Sequence, residues 1–198
     1  MNKKIQTVRT YDKSAKEFAK KFDIIGARIP DIEKAFALIN KKNPKVFEIG
    51  CGNGRDAKEI IKKTNVYLGI DISKEFVKLA KEKVPQANFR IGDVSTFEFP
   101  KNLDIVFSFA SLLHTPKDEF RIILNKIHNS LNRDGIVYIS LKHSYKYKEV
   151  IQEDEFGIRT FYYYSQEDIK ELAKNFIILK CQILEGNKVK WLEIILKK

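Results

Sequence analysis

The stretch VFEIGCGNGR at residues 46–55 decides the fold: an apolar run ends in a turn that holds three glycines. Glycine adopts backbone angles that other residues avoid, and it lets a ligand approach the main chain closely. A buried strand that ends in such a turn before a helix is typical of the ligand crevice at the edge of an open parallel sheet. Gly54 follows Gly50 by four residues where the pyrophosphate-binding pattern has five, and Arg55 takes that glycine's place. The turn therefore favours a nucleoside ligand without a pyrophosphate; a glycine turn with no ligand is the alternative.

Outward from this turn, strand and helix patterns alternate, which indicates a parallel sheet covered by helices on both faces. Strands are predicted at Val46–Gly50, Val66–Asp71, Asn88–Ile91, Leu103–Phe109, Ile136–Leu141, Ile177–Leu184 and Val189–Leu196. Helices are predicted at Tyr11–Asp23, from Pro30 to Ile39, and at Arg55–Lys63, Lys74–Lys83, Lys117–Ser130 and Gln166–Ala173. A hairpin turn at residues 185–188 predicts that the last strand is antiparallel to its neighbour.

Two aspartates end the second and third predicted strands. Asp71 lies 21 residues after Gly50 and can accept hydrogen bonds from both ribose hydroxyls of an adenosine. Capping the next helix is the alternative for Asp71, although Ser73 suits that role better. Asp93 can accept from an adenine amino group, with the backbone N–H of Val94 facing the ring, or it can be a simple turn residue. Together with the glycine turn, these strand ends predict one site shaped for adenosine.

On these motifs the chain resembles the class I methyltransferases that depend on S-adenosylmethionine (SAM), in particular their small bacterial members. LDIVFSFA at residues 103–110 and NRDGIV at 132–137 resemble later family motifs, and YDKSAKEF at 11–18 resembles an N-terminal helix that folds over the cofactor. The resemblance implies an α/β, Rossmann-like sheet of seven strands in the order 3-2-1-4-5-7-6, with strand 7 antiparallel. It also implies one domain at 1–198, made of a helical cap at 1–43, a SAM-binding core at 44–198 and a substrate-lining insertion at about 144–164.

The resemblance implies SAM as the cofactor and S-adenosylhomocysteine (SAH) as the product. The glycine turn would hold the methionine end, Asp71 the ribose and Asp93 the adenine. Arg28 would bind the cofactor's carboxylate, with a surface ion pair as the alternative. The candidate cofactor-binding residues are Tyr11, Arg28, Glu48, Gly50, Cys51, Gly52, Gly54, Arg55, Asp71, Ile72, Asp93, Val94, Phe109, Ala110 and Leu113.

The chemistry is expected near His114, which follows the fourth predicted strand close to the expected methyl position. Its ordinary pKa of about 6.5 suits removal of a proton from a hydroxyl or amine acceptor. Packing beneath the cofactor, or capping the next helix, is the alternative. An aromatic strand at 157–165, after a polar loop at Ser144–Phe156, is expected near the acceptor, although its tyrosines suit plain packing equally. The candidate substrate residues are Tyr11, His114, His143, Tyr163 and Arg159, which would pair with an anionic acceptor or a neighbouring carboxylate.

The amino-acid composition limits the kinds of partner that we expect this protein to bind. The formal charge is +11, yet 30 of the 37 basic residues are lysines scattered along helix faces, whereas nucleic-acid readers cluster arginine. Only two cysteines occur, without metal-ligand spacing, and no long apolar segment is present, so we expect no metal, no membrane span and a cytoplasmic protein. The motif of the DNA- and RNA-amino-methylating enzymes is absent. We therefore expect methylation of a small molecule on oxygen or nitrogen by a monomer or homodimer; the alternatives are tRNA or other RNA methylation and non-catalytic SAM or SAH binding.

Overall fold

The computed structural model of the protein describes residues 2–187 and 189–198. Its helices are α1 (Lys3–Lys13), α2 (Ala15–Ile25), α3 (Ile29–Ala37), α4 (Ala57–Ile60), α5 (Lys74–Lys83), α6 (Lys117–Ser130) and α7 (Gln166–Leu172). Its strands are β1 (Val46–Ile49), β2 (Tyr67–Asp71), β3 (Phe89–Ile91), β4 (Leu103–Phe109), β5 (Leu131–Lys142), β6 (Lys148–Asp154), β7 (Gly157–Tyr163), β8 (Ile177–Leu184) and β9 (Trp191–Lys197).

Seven of these strands form one sheet in the order β3-β2-β1-β4-β5-β9-β8. The strands from β3 to β5 pair in parallel, and β9 is antiparallel to both β5 and β8. Every residue of β1 and β4 is buried, as expected for strands that helices cover on both faces. The predicted α/β fold, the strand order and the antiparallel last strand are confirmed. No helix in the described residues is both long and apolar enough to cross a membrane.

A buried carboxylate on β9 ties the antiparallel edge to the parallel core. Glu193 accepts hydrogen bonds from Tyr138 Oη at 2.6 Å, Lys34 Nζ at 2.8 Å and Lys180 Nζ at 2.8 Å. Burial opposes ionisation of Glu193, but the three donors outweigh it and lower the pKa of this carboxyl to about 2. Since the donors come from β5, α3 and β8, the charge fixes β9 among three neighbouring elements.

The N-terminal region differs from the predicted helix at Tyr11–Asp23. Two helices are present, α1 and α2, with a break at Ser14, and α1 begins already at Lys3. The Asn2 side chain caps α1 by accepting from the backbone N–H of Lys4 at 2.9 Å. The buried residues of α1 are Thr7 and Thr10, so no apolar periodicity marked this helix in the sequence.

The polar loop predicted at Ser144–Phe156 is wrong in part, because residues 148–154 form β6. This strand pairs with β7 in a separate antiparallel two-stranded sheet, and its largely exposed polar side chains hid it from sequence reasoning. The helix predicted at Arg55–Lys63 is also shorter than expected, because only Ala57–Ile60 is helical. In the predicted turn at 185–188, Lys188 lies outside the described residues.

Helix α1 and the β6–β7 hairpin are joined by side chain to backbone hydrogen bonds, and we refer to them together as the cover. Thr10 Oγ1 donates to the carbonyl of Ile158 at 2.7 Å, and the backbone N–H of Thr160 donates to Thr7 Oγ1 at 3.0 Å. Lys3 adds an ion pair with Glu149 of the hairpin at 2.6 Å. The two parts of the cover are therefore positioned together over the carboxyl edge of the sheet.

Candidate functional site

A cavity of about 340 Å³ lies at the carboxyl ends of β1, β2, β3 and β4, beneath α1. Twelve of the predicted cofactor-binding residues line it: Tyr11, Arg28, Gly50, Cys51, Gly52, Arg55, Asp71, Ile72, Asp93, Val94, Phe109 and Ala110. His114, the candidate base, lines it as well. The strand ends that the sequence predicted to form one site therefore do surround one cavity.

Three predicted cofactor residues lie behind the cavity wall. Glu48 is buried under the turn and accepts a hydrogen bond from Tyr67 Oη; burial and the nearby Asp56 raise the pKa of its carboxyl to about 8. Gly54 packs against the backbone of Ala80 so closely that an added Cβ would come within 3.2 Å. Leu113 is a core residue, 2% exposed. All three support the shape of the turn from behind.

The glycine turn is shaped by three glycines with positive φ, of which Gly54, with a φ of 77°, is the one that packs against Ala80. Gly50 has a φ of 75°, and a Cβ at this position would collide with the side chain of Ser111. Gly52 has a φ of 53°, and a Cβ there would point into open space. The backbone N–H of Gly52 donates to Asp71 Oδ2 at 2.9 Å. The turn thus exposes main chain to the cavity and is fixed to the end of β2.

Asp71 is held in place by the backbone on both sides. Its Oδ2 accepts from Gly52 and its Oδ1 from the N–H of Ser73 at 2.9 Å. Burial raises the pKa of this carboxyl to about 6, although these N–H donors favour its charged form. Ser73, not Asp71, caps α5, because Ser73 Oγ accepts from the N–H of Phe76 at 3.1 Å. The carboxylate of Asp71 is thereby left to face the cavity.

Asp93 meets a cation that the sequence did not predict. Lys4, on α1, places its ammonium 2.7 Å from Asp93 Oδ2 and 2.8 Å from Glu119 Oε1. Ser95 also donates to Asp93 Oδ1, through Oγ at 2.6 Å and through its backbone N–H at 3.0 Å. Burial opposes ionisation of Asp93, but Lys4 and Ser95 lower the pKa of its carboxyl. Lys4 therefore links the cover to the third strand end.

We expect Lys4→Met to loosen α1. The Lys4 side chain is 37% exposed, so each of its two ion pairs contributes at most about 1 kcal/mol. Hydrogen exchange of α1 amides, measured by mass spectrometry, is expected to speed up by about 5–30-fold if both pairs hold the helix closed. Lys13→Met, in the last turn of the same helix, is the matched control. Equal exchange in Lys4→Met and the unmodified protein contradicts the role of Lys4 as a latch.

Arg28 is a partly buried arginine with spare hydrogen-bonding capacity. Its guanidinium lies over the rings of Phe109 at 5.5 Å and Trp191 at 6.0 Å. The nearest carboxylate oxygen paired with it, from Asp31, is 3.8 Å away, and its buried Nε has no hydrogen-bond partner. Burial lowers the pKa of Arg28, and Asp56 opposes that effect. A stacked, incompletely paired guanidinium in a cavity wall suits a carboxylate ligand.

His114 is partly buried and hydrogen-bonded at both ring nitrogens. Nδ1 lies 2.6 Å from the carbonyl oxygen of Thr160, and Nε2 lies 2.8 Å from Tyr11 Oη. Burial lowers the pKa of His114 to about 4, and the charges of Lys142 and Arg159 disfavour protonation further. The imidazole is consequently neutral at physiological pH.

Three predicted substrate residues do not line the cavity. Arg159 is buried behind Tyr11 and forms an ion pair with Asp154, which is the neighbouring-carboxylate alternative. His143 packs against Tyr145, with Nδ1 3.2 Å from the carbonyl of Tyr164. Tyr163 lies on β7, beside the ammonium groups of Lys142 and Lys148. A role for these three in substrate binding stays a prediction.

Sequence reasoning missed several lining residues: some are direct neighbours of the predicted ones at the strand ends, and the others come from distant elements. They are Lys4, Thr7, Val8, Phe22, Ile25, Ile49, Asn53, Asp56, Ile70, Phe76, Gly92, Ser111, Leu112, Thr115, Glu119 and Trp191. Trp191 is the single tryptophan of the chain and follows the predicted hairpin turn. The residues of α1 carried no comparable signal.

Comparison with known proteins points to one class. Residues 46–135 match the family described as a methyltransferase domain. An uncharacterized methyltransferase of Bacillus cereus (strain 03BB102) is 32% identical over 100 residues, which are 50% of this chain and 47% of that protein. The chain thus spans about half the length of the curated relatives that it matches.

Solved structures share the fold at low identity. A SAM-dependent methyltransferase of Methanosarcina mazei is 18% identical with a TM-score of 0.71, covering 80% of this chain and 93% of that one. A 1,6-didemethyltoxoflavin-N1-methyltransferase of Burkholderia thailandensis is 18% identical with a TM-score of 0.72, covering 98% and 89%. Residues 46–135 of this chain are therefore similar to a methyltransferase domain, and the fold is similar to that of solved SAM-dependent methyltransferases.

Proposed function

We propose that this protein transfers a methyl group from SAM to an oxygen or nitrogen of a small-molecule acceptor. The observation that carries the proposal is that one cavity brings together a bare glycine turn, the partly buried carboxylate of Asp71 and the incompletely paired guanidinium of Arg28. These groups match a ligand with an aliphatic chain, a ribose and a carboxylate. The match of residues 46–135 to a methyltransferase domain supports the same reading.

The residues present fit SAM in four respects. A Cβ at Gly52 would enter open space, so the main chain is accessible there to the methionine part of SAM. The unpartnered Nε of Arg28 suits the carboxylate, and Asp71 suits the ribose hydroxyls. The carboxylate of Asp93 would accept from the adenine amino group as well as from the ammonium of Lys4, which it already binds.

When bound, SAM supplies a methyl carbon activated by a sulfonium: the acceptor's lone pair forms the new bond, and the carbon–sulfur electron pair stays on sulfur. The protein's share of such a displacement is to hold the acceptor in line and to exclude water. The cover of α1 and the β6–β7 hairpin suits the exclusion of water, because it lies over the carboxyl edge of the sheet. An acceptor hydroxyl or protonated amine must also lose a proton. His114 is a candidate group for this step because it lines the cavity.

A small molecule is the acceptor class we favour. The Burkholderia enzyme named above was solved with 1,6-didemethyltoxoflavin and SAH bound, and its fold covers nearly all of this chain. The cavity itself is modest, at about 340 Å³, and lies beneath α1.

Both cysteines are free thiols, which fits the predicted cytoplasmic location. The monomer or homodimer expected from the sequence stays a prediction.

The proposal is tested by incubating the purified protein with SAM carrying a labelled methyl group and a cell extract divided into metabolite, RNA and protein fractions. We expect the label in the metabolite fraction, and we expect Asp71→Asn to abolish it. Label in the RNA fraction supports the alternative of RNA methylation and overturns the small-molecule acceptor. SAM binding without label in any fraction indicates a non-catalytic binder.

A further inference from the structure

The contact between His114 and the carbonyl of Thr160 fixes which tautomer the histidine adopts. A backbone carbonyl can only accept, so the nitrogen 2.6 Å from the oxygen of Thr160, Nδ1, must carry the proton. In the neutral ring Nε2 is then an acceptor, and the Tyr11 hydroxyl, 2.8 Å away, donates to it. His114 therefore does not present a free lone pair to the cavity, because Tyr11 already occupies it.

The aromatic packing around Tyr11 fixes the position of its hydroxyl. Its ring lies 4.9 Å from that of Phe18, 5.7 Å from Phe76 and 5.4 Å from His114. Both Tyr11 and His114 line the cavity. The two residues come from opposite sides of the site, since Tyr11 belongs to the cover and His114 follows β4. The position of α1 is thus what brings the pair together.

We propose that Tyr11 is the catalytic residue that takes the acceptor's proton, and that His114 acts through Tyr11 as the base behind it. This inference rests on the methyl transfer proposed above. The acceptor's proton moves to Tyr11 Oη while the Tyr11 proton moves to His114 Nε2. The products on the protein are a neutral phenol and an imidazolium whose Nδ1–H still donates to Thr160. The imidazolium then returns its proton to water.

Electrostatics sets the starting state of this transfer. Burial and the charges of Lys142 and Arg159 lower the pKa of His114 to about 4, so the ring starts neutral, and the same shift opposes formation of the imidazolium. The imidazolium forms in a site that loses the sulfonium charge in the same reaction, so the number of buried positive charges does not rise. Burial raises the pKa of Tyr11, and the positive charge of Arg159 opposes that rise. Arg159 consequently eases any negative charge that develops on the Tyr11 oxygen.

The relay is tested first without any acceptor, by two-dimensional nitrogen NMR of the three histidines in the ligand-free protein. We expect His114 to show a protonated Nδ1 and a bare Nε2, and to stay neutral down to about pH 5. Tyr11→Phe keeps the ring packing and is expected to shift the Nε2 resonance of His114 alone, while His128 serves as the internal control. The groups facing the pair are Lys142 on β5, Arg159 on β7, Asp154 on β6 and Asp71 on β2. A protonated Nε2 in His114 overturns the relay.

Transfer from labelled SAM is tested next, with binding measured separately by calorimetry. Tyr11→Phe and His114→Gln are each expected to lower the rate of methyl transfer by about 100-fold or more, with the SAM dissociation constant changed less than about threefold. His114→Gln still accepts from Tyr11 but cannot take the proton. His128→Gln, on α6 and outside the cavity lining, is the matched control and is expected to keep full activity.

The outcomes separate the relay from the proposed function. Full transfer by Tyr11→Phe, with its SAM affinity intact, overturns the relay and leaves the methyltransferase proposal standing. Loss of transfer in Tyr11→Phe but not in His114→Gln also overturns it, because His114 would then not act through Tyr11. Absence of SAM binding by the unmodified protein overturns the proposed function itself. The NMR result shows in either case whether Tyr11 donates a hydrogen bond to His114.

Discussion

Gly50→Ala is expected to weaken SAM binding by at least about 100-fold and to destabilise the protein by about 2–4 kcal/mol. Two causes add together at this position. Gly50 has a φ of 75°, which an L-residue with a side chain adopts only at a cost, and the new Cβ would collide with Ser111. Relief of the collision requires the turn or the chain after β4 to move. Since both line the cavity, the displacement changes the site itself.

Two further variants separate strain from collision. Gly52→Ala shares the positive φ but its Cβ meets nothing within 4 Å, so a cost of only about 1 kcal/mol in unfolding free energy is expected. The double variant Gly50→Ala with Ser111→Gly removes the colliding atoms, because the next atom of residue 111, its Cα, lies 3.6 Å away. We expect it to recover most of the lost stability. Chemical denaturation and calorimetry with SAM measure both quantities; equal stability of the two single variants contradicts the account of the turn.

Asp71→Asn is the second large effect we expect, with SAM binding weakened by about 100-fold. Hydrogen bonds to a charged carboxylate are each worth about 1.5–3 kcal/mol, and a ribose diol offers two donors. The amide also offers N–H donors where Asp71 now accepts from the backbone of Gly52 and Ser73. Asp134→Asn, an exposed aspartate in the turn region of β5, is the control for the loss of one negative charge. Similar affinity in both variants argues against a ribose contact at Asp71.

The pH dependence of SAM binding tests independently whether the ionised carboxylate of Asp71 contacts the ligand. Burial raises the pKa of Asp71 to about 6, and only the ionised form accepts from both hydroxyls. Affinity is therefore expected to be full above pH 6 and to fall about tenfold per pH unit below it. The pKa of Glu48 is about 8 and that of His114 is about 4. A change in affinity near pH 6 therefore belongs to Asp71. Asp71→Asn is expected to lose this transition.

The sequence predicted the sheet and the floor of the site because both depend on local patterns. Strands buried on both faces are continuous apolar runs, and the residues that bind ligands in such folds follow directly after them. Gly50, Asp71 and Asp93 each stand at a strand end, so their meeting at one edge follows from the parallel order alone. The role of Ser73 as the helix cap was also readable, from its position before Lys74.

The cover over the site could not be predicted from local sequence patterns in the same way. Helix α1 buries two threonines instead of an apolar stripe, and β6 is largely exposed and polar, so neither element has the periodicity that marks a buried face. Lys4 meets Asp93 across 89 residues of sequence, and Tyr11 meets His114 across 103. Such pairs are set by tertiary packing, which a motif search along the chain does not see.

The most direct test of the account is calorimetric titration of the purified protein with SAM and with SAH at pH 7.5. The account predicts saturable one-to-one binding of both compounds, weakened in Gly50→Ala and Asp71→Asn but unchanged in Asp134→Asn. No heat with either compound, from folded protein, would contradict the assignment of this cavity as a cofactor site.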